Sequence, residues 1–168
     1  AYKLFMGKSQ MKIEDDFLKQ EEFDKIQEVL MGTYFPWFYN DYIDGVNQTN
    51  KFQFIHYFYK NYTSTSSTIE IINPILNKIY PVSLRRIKAN LLTRTSNIIE
   101  NLFHVDNIVD LSEEKLKQLT TSIFYINTNN GYTIFEDGTK VESVANRLLT
   151  FPTNMKHTGT SCTDEKTR

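Results

Sequence analysis

Thr120-Thr121-Ser122-Ile123-Phe124-Tyr125-Ile126-Asn127, then Thr128-Asn129-Asn130-Gly131, then Tyr132-Thr133-Ile134-Phe135: this stretch decides the fold class. Two short runs rich in β-branched and aromatic residues flank a polar turn that ends in glycine, the pattern of neighbouring strands. Similar runs recur at 84–93, 97–105 and 144–151. Together with 120–127 and 132–136 they give five short strands at the spacing of an all-β sandwich or barrel. Between them, Ser112-Glu113-Glu114-Lys115 has a capping-type start, and 112–119 is expected to form a short helical turn.

Upstream the pattern changes period. Residues 13–31 read as an amphipathic helix, with Asp15 or Asp16 as cap and Phe23, Ile26, Val29 and Leu30 on one stripe. Gly32 supplies a stop. Residues 51–60 read as a strand with Phe52, Phe54, His56 and Phe58 on one face. After the Ser/Thr tract Thr63 to Thr68, residues 69–80 are helical in pattern, with Pro74 marking either a start or a kink. The fold class expected is α+β, mostly β with N-terminal helices. One domain is expected over 11–168, with helical support over 11–82 and the β core over 83–168. Residues 1–10 precede the first patterned segment and read as a leader or cloning remnant.

Composition narrows the function classes. The net charge is −1 and no block of like charges occurs, so neither a nucleic-acid nor an anionic-membrane partner is expected. Cys162 is the single cysteine. It excludes an internal disulfide, reads as a small semi-buried residue, and suits a cytoplasmic setting. No apolar run reaches the length of a membrane span. Sequons at Asn47 and Asn61 carry no weight without a secretory signal.

The chemistry rests on few residues. Of three histidines, His104 stands two residues before Asp106 at the end of an expected strand, where positions i and i+2 face one side. His157 follows beyond the run 144–151. Two histidines and one carboxylate on one face of a metal leave other positions open, an arrangement suited to non-haem Fe(II). His-x-Asp alone is more often a plain strand end than a ligand pair. Arg168 changes the balance, because a guanidinium there could grip the far end of a dicarboxylate.

His104-Val105-Asp106-Asn107, Ser122 to Asn127, Asn146-Arg147-Leu148-Leu149, His157 and Arg168, in this order and spacing, resemble the prolyl-hydroxylase-like branch of the 2-oxoglutarate/Fe(II) oxygenases. Weaker likeness lies in the opening helix and Phe35-Pro36-Trp37. The resemblance implies a double-stranded β-helix, or jelly-roll, core. It implies His104, Asp106 and His157 as catalytic metal ligands, and Arg168, with Tyr125 and Asn90, on 2-oxoglutarate. Leu92 stands where many relatives carry tyrosine. The implied cofactors and co-substrates are Fe(II), 2-oxoglutarate and O2, with ascorbate as an accessory reductant.

The implied reaction hydroxylates a substrate and releases succinate and CO2. Asp106, where a small residue would open a halide position, points to hydroxylation. The first expectation for substrate is peptidyl proline or another amino-acid side chain. Tyr34, Trp37, Tyr39 and His56 are pocket candidates, although aromatics at period two are more often core. In the family a strand follows the arginine; its absence here points to truncation, since an arginine at a free end would be poorly held. Competing readings are a non-catalytic jelly-roll binding protein, an oxygenase acting on a small molecule, and a zinc hydrolase. The last lacks a His-Glu-x-x-His motif.

Overall fold

The computed structural model describes residues 10–43, 51–106 and 111–168. Most of the expected leader, Asn47 and Asn107 lie outside them. In chain order the elements are β1 (Lys12–Glu14), α1 (Gln20–Leu30), β2 (Phe38–Asn40), β3 (Gln53–Lys60) and β4 (Thr63–Ser64). A 3-10 turn (Ile69–Ile72) runs into α2 (Asn73–Ile79), followed by β5 (Arg86–Leu91) and α3 (Glu113–Leu116). The chain ends with β6 (Thr120–Tyr125), β7 (Tyr132–Phe135), β8 (Lys140–Glu142), β9 (Arg147–Pro152) and β10 (His157–Gly159). The fold is β-rich with few helices, and no helix among the described residues is long and apolar enough to cross a membrane.

The opening segment is not helical from residue 13. Lys12–Glu14 pairs with β9, with Ile13 opposite Leu149. Asp15 is held by the Arg147 guanidinium at 2.6 and 3.0 Å, and Asp16 takes φ 48, a left-handed conformation that stops a helix from forming there. The helix therefore starts at Gln20 with Lys19 at the cap, and neither aspartate caps it. Its buried stripe is Phe23, Ile26 and Leu30, while Val29 is exposed. Pro74 begins α2, where its missing N–H costs nothing. Ser112 caps α3 by accepting from the Lys115 N–H.

Among the described residues three antiparallel sheets form: β1-β9-β6, β10-β7-β8, and β2-β3-β4 with β5 on the other side of β3. Residues 97–105, expected as a strand, touch their neighbour only at isolated pairs, Glu100 with Thr160 and His104 with His157. Side chains add to the backbone bonds there: Asn101 Nδ2 donates to Gly159 O at 3.0 Å, and Ser161 Oγ accepts from Ile99 N at 2.9 Å. Farther along, Leu92 and Arg168 exchange both backbone bonds, at 2.7 and 2.8 Å. The end of β5 thus runs beside the last residues of the chain.

Strand β9 explains how the layers hold together. Its residues alternate between faces. Leu148 joins Phe17, Phe23, Ile26 and Leu30 on the helix side, where Phe124 meets Phe17 and Phe23 edge-on at 6.0 Å. Leu149 and Phe151 point the other way and pack with Tyr125, Phe135 and Val141 between sheets. Asn146, in a left-handed conformation, ties this hairpin to the N-terminal segment by exchanging two side-chain bonds of 2.9 Å with the Leu18 backbone.

Leu149 is fully buried at the centre of this arrangement. Leu149→Ala is expected to lower unfolding free energy by about 2–5 kcal/mol, the usual cost of a core cavity. Urea denaturation followed by circular dichroism measures it.

Candidate metal centre

His104 and His157 face each other as a hydrogen-bonded antiparallel pair. His104 N–H donates to His157 O at 3.0 Å, and His157 N–H donates to His104 O at 2.9 Å. Residues paired in this way project their side chains to the same face, and the two ring centroids lie 5.1 Å apart. Asp106, two residues on from His104, joins them. One ligand atom from each of the three lies within 4.8 Å of the others, a group that could hold a metal ion.

Each ring is oriented by a carbonyl two residues before it. Nδ1 of His104 lies 3.0 Å from Leu102 O, and Nδ1 of His157 lies 3.0 Å from Met155 O. A carbonyl only accepts, so Nδ1 carries the proton and the lone pair stays on Nε2, the tautomer a metal needs. The Asp106 carboxylate is oriented as well. Arg86 Nη2 donates to Oδ1 at 3.0 Å and Thr121 Oγ1 donates to Oδ2 at 2.9 Å. The donor set of two imidazoles and one carboxylate fits a divalent first-row metal.

His157 is buried under Phe151 and Phe135, at ring separations of 4.7 and 6.0 Å. Desolvation holds its pKa below the ordinary histidine value, although the Met155 carbonyl and Asp106 pull the other way. The ring is therefore neutral near pH 7 and ready to ligate.

Arg168 is the second feature of the site. Its side chain is largely buried, and burial disfavours the charged form. Nε donates to Ser143 Oγ at 2.8 Å, Nη1 to Thr160 O at 3.1 Å and Nη2 to Thr133 Oγ1 at 3.4 Å. All three acceptors are neutral. Among the described residues no carboxylate side chain pairs with it, so the interior holds a guanidinium whose charge is uncompensated.

Tyr125 stands beside it. The Tyr125 ring centroid is 5.9 Å from the guanidinium carbon, and its hydroxyl shares a 2.7 Å hydrogen bond with Thr133 Oγ1. Space for the guanidinium comes from two glycines. A Cβ on Gly131 would fall 2.5 Å from Arg168 Cδ, and one on Gly159 would fall 2.9 Å from Nη1.

The other candidates spread out. Asn90 is exposed on β5 opposite Ile55. Leu92 is buried and holds the Arg168 backbone by the paired bonds described above. Arg168 is thus held by both its backbone and its side chain. His56 is buried with both ring nitrogens engaged, Nδ1 on Pro36 O and Nε2 on Ser66 Oγ, each at 2.8 Å. It borders a cavity of about 310 Å³ that none of the three clustered residues lines. Trp37 packs against the helix-side core and donates to Leu30 O, while Tyr34 and Tyr39 are exposed. Cys162 is fully buried rather than half-buried. Burial raises its thiol pKa, which makes it unreactive. Arg86, Thr121, Thr133, Ser143, Gly131 and Gly159 were not singled out from sequence. Only Gly131 had a signal, as the end of a turn.

A β-rich fold with a His/Asp/His cluster able to hold a metal is the class that these observations define. No protein-family model matches the chain, and no curated protein matches it. Among solved structures it is similar to a prolyl-4-hydroxylase from Pseudomonas putida, with TM-score 0.53, 12% identity, and coverage of 95% of this chain and 89% of that one. At this identity the likeness speaks for the fold.

The shift of His157 gives a signed prediction. The unfolded chain binds this proton near pH 6.5 and the folded chain only at lower pH, so metal-free stability falls as pH drops below 6.5. Urea midpoints at pH 7 and 5.5 are expected to differ less in His157→Gln than in the parent protein.

Proposed function

We propose that the chain is an Fe(II)- and 2-oxoglutarate-dependent dioxygenase that hydroxylates a peptide or small-molecule substrate. Peptidyl proline or another amino-acid side chain is its first candidate substrate. The observation that carries this reading is the convergence of His104, Asp106 and His157 from two facing backbone segments. The strand arrangement supports it. On one side, β8, β7 and β10 continue to the segment around His104; on the other, β5 runs beside the chain end, and Asn127 Nδ2 reaches Thr167 O from beyond β6. We read these neighbours as parts of a jelly roll over 83–168.

His104, Asp106 and His157 would hold the metal through two imidazole Nε2 atoms and one carboxylate oxygen. When bound, Fe(II) couples oxidative decarboxylation of 2-oxoglutarate to hydroxylation of a C–H bond, placing one oxygen atom of O2 in succinate and one in the product. Arg168 binds the distal carboxylate of 2-oxoglutarate and gains the anion that its buried charge lacks. Thr133, Ser143 and Tyr125 orient that guanidinium. Phe135 and Phe151 keep water from the His157 side of the metal.

Anaerobic addition of Fe(II) and 2-oxoglutarate is expected to give a weak visible charge-transfer band that needs both components and is lost in His157→Ala. Full-length, iron-loaded protein without the band would sink the oxygenase reading. Arg168→Met is expected to weaken 2-oxoglutarate binding by about 2–5 kcal/mol, as for loss of one partner of a buried charge pair. Metal affinity, measured separately by calorimetry, should hardly change. Gly159→Ala, which pushes on Nη1, should weaken the co-substrate by about tenfold, or about 1.4 kcal/mol.

A further inference from the structure

Strand β5 carries Arg86, Lys88 and Asn90 at alternate positions, hence on one face. Its other face, Ile87 and Ala89, packs on the helix-side core. Arg86 fixes where the charged face looks, because its guanidinium is 3.0 Å from the Asp106 carboxylate. Lys88 follows on the same face, opposite Tyr57 in the register, while Lys60 stands opposite Arg86. Lys60 lies over the Tyr57 ring at 4.7 Å. Arg86 therefore touches a metal ligand, Lys88 stands next to it on the same face, and Lys60 adds a third positive charge near Lys88.

Lys88 is the one without an evident structural task. It is half-buried, yet among the described residues no ion pair or hydrogen bond holds its ammonium. Desolvation lowers its pKa, Arg86 and Lys60 lower it further, and Asp106 opposes them. Asp106 does not need it, since Arg86 and Thr121 already occupy both carboxylate oxygens. A half-buried ammonium without an anion is costly unless a ligand supplies one.

Charge accounting points the same way, and here the argument rests on the oxygenase reading above. A divalent metal and Arg168 together balance Asp106 and the 2-oxoglutarate dianion. Arg86 and Lys88 are left over.

We propose that Lys88, with Arg86 beside it, forms a carboxylate-binding subsite for the substrate at the rim of the metal centre. The substrate class is then an amino-acid derivative with a carboxylate close to the C–H bond that is oxidised. The carboxylate is either the free α-carboxylate of a small molecule or the acidic side chain of a peptide. Lys88 donates to it as a point charge, and Arg86 keeps one donor on Asp106 while offering others.

The test uses full-length protein loaded with 2-oxoglutarate and Zn(II) in place of Fe(II), with lysines 13C-labelled at Cε. The Lys88 resonance is assigned by its loss in Lys88→Gln. N-acetyl-L-proline and its amide, and acetyl-Pro-Glu-amide and acetyl-Pro-Gln-amide, are titrated in turn. The resonance should move with at least one carboxylate probe and bind it about tenfold more tightly than the uncharged partner, as for one charge-assisted hydrogen bond. A response to the first acid marks a small-molecule substrate, and a response to the second marks an acidic peptide. No movement with either acid, or equal movement with the neutral partners, overturns the proposal. Lys88→Gln should keep the Fe(II)/2-oxoglutarate band. If it instead weakens 2-oxoglutarate binding, as is expected of Arg168→Met, Lys88 serves the co-substrate and the subsite falls while the oxygenase reading stands. A parent protein with no band fails at the earlier step.

Discussion

Two backbone hydrogen bonds between His104 and His157 are the constraint on which the site depends. They set two imidazoles side by side without asking the side chains to find each other. The partner carbonyls of Leu102 and Met155 then choose the tautomer, and Asp106, two residues after His104, joins the pair. Such a pairing can persist only if both segments are anchored elsewhere. On one side, β10 is anchored by β7, with His157 opposite Phe135. On the other, Asn101 and Ile99 are tied to Gly159 and Ser161. The apolar layer of Phe135, Leu149 and Phe151 holds the arrangement from below.

Charge is distributed against stability and in favour of binding. A metal-free interior keeps a buried guanidinium on neutral acceptors, and a neutral histidine pressed against two phenylalanines. Neither arrangement maximises folding free energy. Both become favourable when a cation joins the triad and a dianion reaches Arg168. Arg86 links the two halves of this economy, since it orients Asp106 from β5, the strand whose continuation holds the Arg168 backbone through Leu92.

The legible parts of the sequence were those with periodicity or rare residues. The runs at 120–127, 132–136 and 144–151 were visible because both faces of β6, β7 and β9 are at least partly apolar and buried. Strands β8 and β10 were not: Lys140-Val141-Glu142 and His157-Thr158-Gly159 carry one apolar side chain between them, and their pairing with β7 makes them strands. The helix over 13–31 was read too long, because an antiparallel contact with β9 and the Asp15–Arg147 pair override a local helical pattern. At the site, the histidines and Asp106 were legible because histidine is scarce here. Arg86, Thr121 and the two glycines were not. Their roles depend on tertiary contacts with residues distant in the chain or beyond a turn, and nothing local distinguishes them.

The most direct test is a crystal structure of the Mn(II)- and 2-oxoglutarate-soaked protein, with anomalous scattering locating the metal. The account predicts one metal peak in bonding distance of His104 Nε2, His157 Nε2 and an Asp106 oxygen, with the distal carboxylate of 2-oxoglutarate on the Arg168 guanidinium. A metal bound elsewhere, or a co-substrate whose distal carboxylate avoids Arg168, would contradict it.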